Sequence, residues 1–131
     1  MTTIIFYKAD GHFYGFEEQG HTGFAESGDD ILCSALSAMT MLIINTIEVS
    51  YASDVEYTID EATTDIKVIA HGALPEYEED ESKRFAVSGL IMAYYYQLND
   101  LIAIQFPAHA IREQNHFAAG LIRPPGRVPY Q

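Results

Sequence analysis

Cys33 is the only cysteine in the chain, and His21 stands twelve residues before it in the stretch "GHTGFAESGDDILCSALSAMT", residues 20–40. A thiolate is a strong nucleophile toward carbonyl carbon, and an imidazole within hydrogen-bond reach is the base that generates it. The pair is therefore suited to acyl transfer. Spacing alone leaves two readings of Cys33: a nucleophile served by His21 across a glycine-containing loop, or a small buried structural cysteine. Asp30, Cys33 and Ser37 lie three and then four residues apart, which places them on one face of a helix, with small Ser34, Ala35 and Ala38 around them. Small neighbours leave room for a substrate backbone. Asp30 suits helix capping equally well, and Ser37 helix packing.

Other chemistries fit less well. His12, His71, His109 and His116 are scattered, without the short spacing that presents a pair of ligands to zinc, and one cysteine is too few to complete a set. No metal and no cofactor is expected. The net charge of -12 argues against direct binding of nucleic acid, which needs clustered Lys and Arg, and favours a basic partner or plain solubility. The longest apolar run, around "MTMLIINTI", is about half the length needed to span a bilayer, and "MTTIIFYKADG" lacks the pattern of a signal peptide. No membrane association is expected, and a lone cysteine agrees with a reducing compartment, so the expected location is the cytoplasm.

The elements that must position these residues follow from periodicity. At 131 residues, 48% of them hydrophobic and 20% charged, the chain suits one folded domain. "TTIIFYKAD" and "HFYGFEEQ" are β-rich runs joined at Asp10-Gly11, a hairpin turn step, giving strands at about Thr3 to Lys8 and Phe13 to Glu18. The glycine-bearing stretch 20–28 is a loop. Ser27, Asp29 and Asp30 then offer acceptors for a helix start, and Leu32, Leu36, Met39, Ile43 and Ile47 form one stripe, predicting a helix from about Asp30 to Ser50 with Cys33 in its first turn. There the partial positive charge of the free N–H groups favours the thiolate. Strands are predicted near Val55 to Ile59 and Asp65 to His71. A second helix is read as opening at Pro75 with an acidic first turn and ending before Pro107, carrying Val87, Ile91, Tyr94, Leu98 and Leu101 inward. The cluster Tyr94, Tyr95, Tyr96 suits a core or dimer face. The order strand, strand, helix, strand, strand, helix predicts an α+β domain whose antiparallel sheet packs against two helices. The remainder from Ala108, with Arg112, Arg123 and Arg127 and a Pro/Gly-rich end, reads as a C-terminal tail.

The stretch resembles the ribosomal-processing cysteine protease family called Prp. The family's Gly-His pair, glycine-containing loop, Asp-Ile-aliphatic-Cys run and following Ser correspond here to Gly20, His21, Asp30, Ile31, Leu32, Cys33 and Ser37. The likeness extends over about residues 1–112, with "QFPAHAIR" similar to the family's closing Tyr-Pro segment, which implies a protease domain over 1–112 and a C-terminal tail over 113–131 that extends past the usual family end. What the resemblance implies is a cysteine endopeptidase with a Cys33–His21 dyad, with Gly20, Asp30 and Ser37 supporting the site or binding substrate. It further implies a homodimer that removes the N-terminal extension from the precursor of the twenty-seventh-numbered protein of the bacterial large ribosomal subunit, cutting after aromatic residues. Two rivals remain at this point: a non-catalytic dimeric module that binds a basic ribosomal protein, and another thiol acyl-transfer enzyme using the same dyad. The tail segment "NHFAAG" resembles an aromatic-then-alanine cleavage sequence, which suggests occupancy of a neighbouring cleft as an alternative to a plain tail.

Overall fold

The computed structural model describes residues 3–19, 29–60, 62–63, 65–105 and 110–116, the chain path alone for 29–32, 102–105 and 110–116. Strands β1 (Thr3–Ala9) and β2 (His12–Gln19) form a hairpin whose two turn residues, Asp10 and Gly11, both have positive φ, 52° and 82°. This two-residue turn matches the twist of the strands it joins, and Asp-Gly is its preferred sequence. Tyr7 pairs with Gly15 whereas Lys8 pairs with Phe13, so Tyr14 is an extra residue on β2. This bulge brings Phe13 and Phe16, three residues apart, onto one face, where both rings pack on Phe6 with centroids 6.1 and 5.6 Å away.

Helix α1 (Asp29–Asn45) ends in a π turn, Thr46–Ser50, covering the span predicted as one helix. Strands β3 (Val55–Ile59) and β4 (Ile66–Ala70) pair antiparallel, and a 3-10 turn, His71–Ala73, follows. Helix α2 (Glu81–Gln105) begins six residues after Pro75, later than the sequence reading placed it. Asp80 starts it, its Oδ1 accepting from the N–H groups of Ser82 at 2.9 Å and Lys83 at 3.4 Å. Pro75 instead lies in a turn in which the Leu74 carbonyl accepts from Tyr77 and Glu78. A fixed φ serves a turn as well as a helix start, and Asp is the stronger capping residue.

The sheet order is β3-β4-β2-β1-β5, with β2–β4 antiparallel. The expected four antiparallel strands are present, and a fifth is added. Strand β5 (Ala110–His116) runs parallel to β1, from Thr3 opposite Ala110 to Ala9 opposite His116. It crosses the expected domain boundary at residue 112, so part of the segment read as a tail extends the sheet. Its sequence "AIREQNH" has no apolar alternation; it pairs with the free edge of β1 through backbone groups, which sequence type barely signals. Residues 117–131, "NHFAAG" beyond His116 included, lie outside the described residues.

Both helices pack on one face of the sheet. Ile4, Phe6, Phe16 and Val68 are fully buried there beneath Leu36, Ile44 and Ile47 of the first helical segment and Val87, Ile91 and Leu98 of α2. Each such side chain contributes about 1.5–3 kcal/mol by burial. Tyr94 is buried, Tyr95 partly so, and Tyr96 is 59% exposed, so the tyrosine run divides between core and surface. By length and composition the 18 residues Cys33–Ser50, mean hydropathy 1.4, could cross a membrane, a longer stretch than the sequence reading counted. One stripe of that segment is turned into the core instead.

Candidate active site

Cys33 is the fifth residue of α1, one past the first turn in which it was predicted. The free N–H groups at the helix start belong to the four residues before it, but helix side chains tilt toward the N-terminus, so a fifth residue still leans over them. Cys33 is partly buried. Seven residues on, two turns along the same face, stands Thr40, which is buried against the sheet. Ser37 is exposed beside this line. Asp30 occupies the second position of α1, and its side chain lies outside the described residues, as do Gly20 and His21.

The end of β2, one residue before Gly20, holds a group the sequence reading missed. Glu18 is 0% exposed and projects from the helix-facing side of the sheet, between Ile4 of β1 and Ile66 of β4. Its Oε2 accepts a hydrogen bond from Tyr94 OH of α2 at 2.5 Å and from Thr40 Oγ1 of α1 at 3.2 Å. The two hydroxyls are themselves 3.4 Å apart. Oε1 has no hydrogen-bond partner among the described residues. Burial pushes the carboxyl up to about 7, against the two hydrogen bonds, which favour its charged form. Burial, and then the adjacent Glu18 carboxyl, holds the Tyr94 phenol well above its ordinary range. The signal that would have found Glu18 is phase: once Tyr14 is counted as a bulge, Phe13, Phe16 and Glu18 all face inward.

The other described histidines lie elsewhere. His71 follows β4 at the end opposite Ile66, the partner of Glu18, and His12 and the backbone of His116 flank Ala9 at that same far end. His71 is fully buried, its Nδ1 2.9 Å from Asp54 Oδ2 and its Nε2 3.5 Å from Glu56 Oε1, with its ring stacked on Tyr77. Strand direction separates it from the start of α1, so it is no partner for Cys33. His109 lies outside the described residues. No group able to hold a metal ion occurs among the described residues.

The family described as cysteine protease Prp matches residues 1–110. No curated protein matches the chain. Among solved structures, SMU.848 from Streptococcus mutans is similar, with 24% identity, a TM-score of 0.70, and 88% of this chain and 99% of that chain covered. The essential ribosomal processing protease Prp from S. aureus, in complex with a substrate peptide, is similar at 15% identity and a TM-score of 0.68, over 88% of this chain and 100% of that one. The same S. aureus protease with a covalently linked product peptide gives 15% identity and a TM-score of 0.67, over 87% and 100%. At these identities the solved structures establish a shared fold.

Proposed function

The chain belongs to the cysteine protease Prp family, and from that premise we propose that it is an endopeptidase in which Cys33 is the nucleophile and His21 its base. The observation that carries this reading is the place of Cys33: on the core-facing stripe of the helix that follows the Gly20–Gly28 segment, near the free N–H groups of the helix start. His21 takes the thiol proton as Sγ bonds to the scissile carbonyl carbon. The tetrahedral intermediate collapses with cleavage of the C–N bond, and His21 returns the proton to the leaving amine. Water then hydrolyses the thioester, releasing the new carboxylate and restoring the thiol. The N–H groups of the first turn of α1 are suited to receive the oxyanion. Gly20, Asp30 and Ser37 support the site or contact substrate.

The substrate proposed is the precursor of a basic large-subunit ribosomal protein, the twenty-seventh-numbered one, cut after aromatic residues of its N-terminal extension in the cytoplasm. Two facts support this: the S. aureus relative is a ribosomal processing protease, and this chain's charge of -12 would steer a cationic substrate toward it. Homodimerisation is supported by an exposed apolar stripe on α2, Phe85, Met92 and Tyr96, spaced seven and four residues apart. Mass spectrometry of the precursor after incubation tests substrate, bond and nucleophile together. Wild type yields a single new N-terminus after an aromatic residue; Cys33→Ala yields none, and His21→Ala yields it at a severely reduced rate. Undiminished cleavage by purified Cys33→Ala contradicts the reading.

A further inference from the structure

We infer that Glu18 is a positioning residue for this protease: its buried carboxyl ties the end of β2 to the helix that carries Cys33. The inference rests on the dyad proposed above.

Glu18 is not where the fold alone would put a carboxyl. The helix-facing side of the sheet around it is apolar, with Ile4 and Ile66 beside it and Phe16 two residues before it, all buried. An apolar side chain would fill this place without desolvating a carboxyl, and exchanging buried polar partners for apolar groups is often neutral or stabilising. Retaining a carboxyl here has another use. One oxygen accepts from α1 through Thr40 and from α2 through Tyr94, so three elements meet on a single atom with directional bonds. Apolar packing tolerates small slides of a helix over a sheet; hydrogen bonds to a shared oxygen set both distance and angle.

Helix α1 carries Cys33, and β2 ends two residues before His21 in the sequence. Thr40 lies two turns beyond Cys33 on the same face of α1, about 10.5 Å along the axis, within one rigid helix. Glu18 precedes His21 by three residues, so the two Cα atoms lie within about 11 Å whatever path the chain takes. A shift of α1 against β2 moves the thiol relative to the strand from which the chain runs on to His21, and a displacement of about 1 Å between reacting groups costs on the order of 100-fold in rate.

The test pairs activity with stability in Glu18→Leu, Glu18→Gln and Thr40→Val, using the precursor as substrate. Glu18→Leu is expected to melt at or above the wild-type temperature while kcat falls on the order of 10- to 100-fold at nearly unchanged KM. Glu18→Gln keeps an acceptor oxygen and is expected to hold kcat within about threefold. Thr40→Val, which keeps the shape and removes one donor, is expected to give an intermediate loss of kcat without loss of stability. A pure packing role would lower activity and melting temperature together. Full kcat in Glu18→Leu, or a loss that Glu18→Gln does not restore, overturns the inference. A wild-type chain that fails to cleave overturns the dyad and this inference with it, whereas wild-type cleavage beside an equally active Glu18→Leu overturns this inference alone.

Discussion

The two ends of the sheet each bury a polar cluster, and they are built on different chemistry. At the β1–β2 turn end, His71 is sandwiched between the carboxylates of Asp54 and Glu56 and stacked on Tyr77, closing β3 and β4 onto the segment before α2. At the opposite end, Glu18 meets the hydroxyls of Thr40 and Tyr94, with no basic side chain bonded to it among the described residues. The first arrangement joins strand and turn through one ring, by a hydrogen bond to Asp54, a close approach to Glu56 and the stack on Tyr77. The second leaves a carboxyl protonated up to near neutrality and fixes the orientation of the helix bearing Cys33. A buried cluster at one end is thus structural, and its counterpart at the other is tied to function.

That contrast is breakable. The largest separation is expected between the two histidines. His21→Ala should leave thermal stability unchanged and reduce turnover severely. His71→Ala removes a fully buried ring that bonds Asp54 and stacks on Tyr77, and should cost about 3 kcal/mol of stability, read by urea unfolding, with kcat unchanged in the fraction that stays folded. Loss of activity at full stability in His71→Ala would collapse the distinction.

Next in size is the pH dependence of stability. The folded chain holds a proton on Glu18 up to about pH 7, whereas an unfolded glutamate releases it near 4.5. The folded state therefore binds more protons between these values, and stability falls as pH rises from 4.5 through 7, by up to about 3 kcal/mol. The contribution of the neutral form is complete below 4.5 and lost above 7. Glu18→Gln should remove this slope, and unfolding curves of the two proteins at pH 5 and 8 measure it. A slope that survives in Glu18→Gln belongs to other groups.

The smallest effect lies again at the His71 end. A Cβ on Gly72 would sit 1.8 Å from Ser53 Oγ, so Gly72→Ala must push that side chain or the 3-10 turn aside. Overpacking of this kind costs about 1–3 kcal/mol. Turnover by Gly72→Ala should match wild type at a temperature where both are folded.

Legibility in the sequence followed the physics of each element. The hairpin was readable because Asp10-Gly11 is a turn with one dominant geometry. The inward stripes were readable because Leu36, Ile43 and Ile47, and Val87, Ile91, Tyr94 and Leu98, keep helical spacing throughout. Glu18 was hidden because alternation counted from Phe13 without the Tyr14 bulge turns Phe16 and Glu18 to the wrong face, where a glutamate needs no explanation. β5 was hidden because a parallel edge strand made of "AIREQNH" is specified by the open edge of β1, over a hundred residues earlier in the chain, and by no local pattern. Of the candidate site, Cys33 and its helix were legible; Glu18, Thr40 and Tyr94 come from three separate elements, and their meeting needed the tertiary structure.

In the proposed protease Cys33 is held as a nucleophile by His21. The most direct measurement is the rate at which iodoacetamide alkylates Cys33 as a function of pH, in wild type and in His21→Ala. Wild-type alkylation is expected to follow an ionisation well below the ordinary thiol value of about 8.5, and His21→Ala to move it back toward that value. Superimposable profiles near 8.5 for both proteins would contradict it.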